Sequence, residues 1–162
     1  EIPPQVFKAL EGSDLIVHCG DMHDVNVLDW LQERLGPVIG AWGNGDRGSG
    51  GRMPQPEDER MKDVQVLTLE GLKVGIIHDF PFPDEAPTLD VNRLMLHFFE
   101  EKMDIILCGH THVAKIGDLD GTLMVNPGSP TLPRNLYDLG QVAILDIEDG
   151  VPQARIIDLN EL

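Results

Sequence analysis

Residues 104–112 read Asp104-Ile105-Ile106-Leu107-Cys108-Gly109-His110-Thr111-His112. Ile105 to Cys108 form an unbroken apolar run, as expected of a short strand buried on both faces. Gly109 then lets the backbone turn sharply. Two imidazoles follow, two residues apart, which puts both rings on one side if the segment is extended. Sites in open α/β sheets form beyond the carboxyl ends of strands. The stretch therefore predicts half of a metal site at one end of an α/β sheet.

Three other apolar runs stop in the same way. Residues 14–19 (DLIVHC) run into Gly20-Asp21, 37–42 (PVIGAW) into Gly43-Asn44-Gly45-Asp46, and 73–77 into His78-Asp79. Four strands thus offer a carboxylate, an amide and three imidazoles at corresponding ends. These donors suit Mn, Fe, Ni, Zn or Co. Each piece alone has an ordinary reading. Gly-Asp is a strand-ending turn, Gly-Asn-Gly-Asp is good turn chemistry, and a single histidine is more often a packing residue. The combination carries the metal reading.

Around these strands the periodicity predicts helices over 3–11, 25–35 and 89–101. Asp24 is the expected cap of the second, with Val27, Leu28, Leu31 and Leu35 on its apolar stripe. The third is expected to turn Val91, Leu94, Met95 and Phe98 inward. Residues 43–60, rich in glycine and proline, read as a loop. Residues 64–69 and 73–78 read as a hairpin, and 113–118, 122–126, 140–147 and 151–158 as late strands with turns at Asp120-Gly121 and Asp149-Gly150. Early alternation favours a mainly parallel sheet, and the late hairpins should add a second one. Trp30, Trp42 and His18 read as packing residues.

The 162 residues fit a single domain spanning 1–162. With 12 basic and 28 acidic side chains the formal charge is −16. Such a surface repels phosphate backbones and argues against bulk nucleic acid. A small phosphate ester is acceptable if cations bring local positive charge. Cys19 and Cys108 end apolar runs and read as reduced, packed thiols, which points to the cytoplasm. No apolar run approaches the length of a membrane span.

Asp21, Asn44, His78 and Gly109-His110-Thr111-His112, followed by Asn126-Pro127-Gly128-Ser129, resemble calcineurin-like metallophosphoesterases, specifically their small bacterial and archaeal phosphodiesterase branch. The resemblance runs from about residue 5 to 158. It implies an α/β (α+β) fold, a four-layer αββα sandwich. It also implies two divalent metal ions, with Mn expected and Fe, Ni, Zn or Co as alternatives. Asp21 would bridge them, Asn44, His78 and His110 would serve one, and His112 the other. A metal-bridged hydroxide would then hydrolyse a small soluble phosphate ester, a diester in that branch, with cations roughly 3.5–4 Å apart clamping the phosphoryl oxygens. Arg47 in the glycine-rich loop is the first choice for a phosphate contact, with Arg52 beside it and Lys115 and Arg134 further off.

The pattern departs in two places. The family's Asp-x-His, at the end of its first strand, does not occur before residue 14, and the helix at 3–11 corresponds to the one that follows that strand. The expectation is a first strand missing from the sequence given, an empty central sheet position, and one metal short of two ligands. Many relatives also carry His or Cys after the metal-binding Asn, where this chain has Gly45, so no side chain there can protonate a leaving group. These departures motivate an alternative reading: a noncatalytic scaffold like the retromer subunit built on this fold, binding other proteins.

Overall fold

A computed structural model describes residues 1–132 and 137–162. Arg134 lies outside the described residues. Two helices, α1 (Pro4–Leu10) and α2 (Asn26–Leu35), cover one face of a three-stranded sheet made of β1 (Ile16–His18), β2 (Val38–Ala41) and β3 (Met61–Lys62). All its pairings are parallel. A second sheet has the order β4-β5-β6-β8-β7, from Val64–Leu69, Leu72–Ile77, Ile105–Leu107, Thr122–Asn126 and Lys115–Leu119 respectively. Its centre, β5-β6-β8, is parallel, and its edges β4 and β7 are antiparallel. Helix α3 (Val91–Phe99) covers its outer face. A hairpin of β9 (Gln141–Glu148) and β10 (Val151–Asp158) completes the sheet structure.

Strand alternation explains the layering. Ile16 and Val38 point to α1 and α2 and join Leu28, Leu31 and Trp42. Val17, Ile39 and Ala41 point the other way, into the space between the sheets, where they meet Val74, Ile76, Ile105, Leu107 and Val125. The same middle layer takes Ala143, Leu145 and Ile147 from β9. Ile106 and Met124 face outward again and pack under Val91, Met95 and Phe99 of α3. Three apolar layers between four layers of structure make the αββα sandwich. At Gly75 an added Cβ would lie 2.6 Å from a ring carbon of Phe99 and 3.0 Å from Met103. A glycine in mid-strand is what lets α3 settle against β5.

Several expectations are corrected. Strand β3 pairs just past the stretch read as loop, at residues given no element, because its neighbour β2 leaves an edge for it. The hairpin β7–β8 extends the sheet of β4–β6 instead of forming a separate one. The first residue before α2 is Val25, with no side-chain cap, although the Asp24 carboxylate does accept the Asn26 N–H at 3.0 Å. Phe99, not Phe98, is the aromatic buried by α3; Phe98 is exposed and edges onto Phe80 and His97. Trp30 is also exposed, whereas Trp42 is buried as expected. His18 is half-buried at a strand end.

Among the described residues, strand β1 pairs only with β2, and β9 only with β10. An open cavity of about 1080 Å³ lies against both, lined without a break by residues 15–19 and 141–147. Successive strand residues point to opposite faces, so consecutive lining means that the cavity meets the strands along their backbone edges. Among the described residues no helix is long and apolar enough to cross a membrane.

Candidate metal centre

The carboxyl ends of β1, β2, β5 and β6 lie together, and their side chains converge. His78, buried just past β5, is the centre. Its Nδ1 lies 2.6 Å from the carbonyl of Cys19. A carbonyl only accepts, so Nδ1 carries the hydrogen and donates. The Nε2 atom of the neutral ring is then a lone pair. It faces Asn44 Oδ1 at 3.1 Å, His110 Nδ1 at 3.2 Å and Asp21 Oδ2 at 3.5 Å. Four atoms able to donate electron pairs, from four strand ends, thus surround one small volume.

Two buried groups to which the sequence reading gave no role in the site hold these side chains in place. Asp46 is fully buried. Its carboxylate accepts the N–H groups of Asp21 at 2.7 Å, Gly43 at 2.9 Å and His23 at 3.2 Å, joining the turn after β1 to the turn after β2. Its position in Gly-Asn-Gly-Asp was visible, but the turn reading absorbed it. Asn126 is buried at the end of β8 and donates to the Gly109 carbonyl at 2.7 Å and to Thr111 Oγ1 at 3.0 Å. Its own Oδ1 accepts from Gly128 at 3.0 Å. The motif Asn-Pro-Gly-Ser therefore braces the loop that carries the two histidines.

That loop is not extended. His110 (φ 68°) and His112 (φ 59°) are both left-handed, and Thr111 N–H bonds back to the Gly109 carbonyl at 2.8 Å. Asp21 is left-handed as well (φ 59°). Left-handed non-glycine residues cost energy and persist where the surroundings fix them. The expectation that both rings share one side of a strand therefore fails. His110 turns to His78, with ring centres 5.1 Å apart and edge to face. His112 is half-buried on the wall of the same cavity and makes no hydrogen bond or ion pair among the described residues.

The remaining groups divide clearly. Arg47 leans over the Trp42 ring and is held by Glu57 at 2.6 Å and Asp63 at 3.1 Å, so it is not among the residues brought together. Lys115 is held by Asp84 and Glu85. Arg52 reaches the centre, with Nη1 3.9 Å from Asp21 Oδ2. Asp79 is exposed and stands 3.9 Å from His110. Burial lowers the pKa of His18, opposed by Asp46, and its Nδ1 accepts the Gly20 N–H at 3.1 Å. Burial raises the Cys19 thiol to about 12 and pushes Cys108 up too, so both are poor nucleophiles.

The donor set around His78 fits a divalent cation. Two oxygens and two ring nitrogens face one another with no hydrogen between His78 Nε2 and the oxygens, an arrangement a cation satisfies. No second such set is built among the described residues. Among the described residues, no group of three or more His, Cys, Asp or Glu side chains forms a ready-made cage, and Asp21 Oδ1 already accepts the Gly45 N–H at 2.7 Å.

Solved structures place this architecture in a class, the metallophosphoesterase fold. Zinc-complexed Vps29 from Entamoeba histolytica is similar with a TM-score of 0.65 at 18% identity, covering 99% of this chain and 91% of that one. The structure described as that of a novel archaeal phosphodiesterase gives a TM-score of 0.64 at 23% identity, covering 95% and 92%. A family model for the calcineurin-like phosphoesterase superfamily domain matches residues 1–150, and the chain belongs to that family. Among its relatives is a probable metallophosphoesterase of Methanocaldococcus jannaschii, 34% identical over 99% of this chain and 74% of its own length. A probable metallophosphoesterase of Methanothermobacter thermautotrophicus is 35% identical over 97% and 83%.

Proposed function

We propose that this phosphoesterase is metal-dependent and hydrolyses a small phosphodiester, with Asp21, Asn44, His78 and His110 holding a divalent cation, Mn foremost. The observation that carries this is the lone pair of His78 Nε2, which faces three other donor atoms within 3.5 Å. When bound, such a cation lowers the pKa of water and draws charge from phosphoryl oxygens. The chain's own part is to aim the donors. Cys19 fixes the tautomer of His78, Asp46 fixes the backbone of Asp21, and Asn126 fixes the loop of His110, as partners of metal ligands commonly do. His112 is available to a second cation beside Asp21. A more distant relative, a phosphodiesterase of M. jannaschii that is 23% identical over 90% of this chain, supports a diester substrate. The free, packed cysteines support a reducing, cytoplasmic setting.

The scaffold reading rests on likeness of fold to Vps29 and offers no reason for four donors to converge. Hydrolysis of bis(p-nitrophenyl) phosphate separates the two. Turnover should rise with added Mn, vanish with EDTA and fall at least about 100-fold in His78→Ala, which should also retain less Mn by elemental analysis. A protein that holds the metal and turns over nothing would leave only the scaffold.

A further inference from the structure

We infer that Arg52 is the residue that grips the phosphoryl oxygens of the substrate, and that Gly45 is there to make room for it. The inference builds on the metal-centre reading above. Arg52 Nη1 stands 3.9 Å from Asp21 Oδ2, the same oxygen that lies 3.5 Å from His78 Nε2. The guanidinium is therefore on the rim of the donor cluster, where a phosphoryl group bound to the cation would project.

Its availability sets it apart from the other cations considered for a phosphate contact. Arg47 is spent on Glu57 and Asp63, Arg60 on Asp58 and Asp29, and Lys115 on Asp84 and Glu85. Among the described residues Arg52 makes no hydrogen bond, and its one ion pair is the long contact with Asp21. Its side chain is 43% exposed, so the guanidinium can turn toward an incoming anion. Five N–H donors in a planar fork match two oxygens of a phosphate. In a chain of net charge −16, a fixed positive group beside the centre has a clear use: the substrate is an anion.

Gly45 supplies the second observation. A Cβ at this position would overlap Arg52 Nη1, approach its Cζ to 3.2 Å and meet Asp21 Oδ1 at 2.8 Å. Any side chain here would drive the guanidinium off. The side chain that this turn lacks is thus replaced in space by one from the following loop. A guanidinium donates hydrogen bonds without giving up its proton, so the role of Arg52 is binding and charge, not protonation of the leaving group.

The test uses two readouts on the Mn-loaded protein: calorimetric titration with inorganic phosphate, and kinetics on bis(p-nitrophenyl) phosphate. Arg52→Ala should weaken phosphate binding at least about tenfold, the loss typical of a charge-assisted bond, and raise KM by a similar factor. Arg52→Lys should recover part of the binding. Gly45→Ala, which displaces the guanidinium and also presses on Asp21 Oδ1, should weaken phosphate binding at least as much as Arg52→Ala. Mn content should be unchanged in the Arg52 variants. Unchanged phosphate affinity in Arg52→Ala would overturn the inference, as would loss of Mn, which would make Arg52 a support for Asp21. If the parent protein binds phosphate through Arg52 yet hydrolyses nothing, this inference stands and the catalytic reading falls. If it binds no phosphate but hydrolyses the diester, this inference falls and the catalytic reading stands; if it does neither, both fall.

Discussion

Asp46 shows how one buried carboxylate can decide the shape of a site without entering it. It is fully buried and takes three N–H groups from two separate turns. Asp46→Asn replaces an acceptor oxygen by a donor that meets N–H groups already pointing at it. The expected loss is about 1–3 kcal/mol of stability, read as a lower urea midpoint, together with weaker Mn retention because Asp21 loses its anchor. An Asp46→Asn protein with both quantities unchanged would remove Asp46 from this account. At this scale the sequence was informative about which types of side chain end the strands, and Asp21, Asn44, His78 and His110 do meet. It was silent about how they are held. Asp46 and Asn126 act through backbone groups distant in sequence, and nothing in a local pattern marks a carboxylate as buried. Arg47 and Arg52 are five residues apart on one loop, and only the fold shows that acidic neighbours take up the first.

Among the elements, the strands were the most legible. Ile105–Leu107 reads as buried on both faces and is, since alternate side chains enter different apolar layers. Helix faces were less so. Phe98 and Phe99 both suit the stripe of α3, and the choice between them depends on where Gly75 lets the helix approach. That dependence gives a prediction. Gly75→Ala forces a methyl into Phe99 and Met103 with no open space beside it. Overpacking of this kind costs about 1–3 kcal/mol, and thermal unfolding should show it as a lower Tm. A Tm equal to that of the parent would mean that α3 shifts at no cost. The pairing of β3 was beyond reading, because a two-residue strand is made by its neighbour and not by its own pattern. The left-handed turns at His110 and His112 escaped for a related reason: bracing by Asn126 overrides the extended conformation that a strand end suggests.

Across the whole molecule, a mainly parallel sheet and a second sheet were legible because apolar runs and amphipathic helices alternate early and hairpins come late, while the αββα stacking was what the family resemblance implied. Which hairpin joins which sheet was not legible, since β7–β8 and β9–β10 have the same local signature. The structure separates them. The ladder of β4-β5-β6-β8-β7 is continuous, whereas β9–β10 is bonded strand to strand only within itself. Along β1 and β9 the cavity replaces a ladder. Cooperative opening units commonly coincide with supersecondary motifs, so the β9–β10 hairpin should open as a unit apart from the five-stranded sheet. The prediction is that amides of β9 and β10 exchange with solvent at least about tenfold faster than those of β6, a gap of about 1.4 kcal/mol in opening free energy. Equal protection would mean that side-chain packing in the middle layer couples the hairpin as tightly as a ladder does. If the gap is found, the wall of the cavity beside the cluster of donors is a hinged flap of independent stability. Anything that lies along both free edges would then act on the molecule as a clasp, binding and stiffening it in a single event.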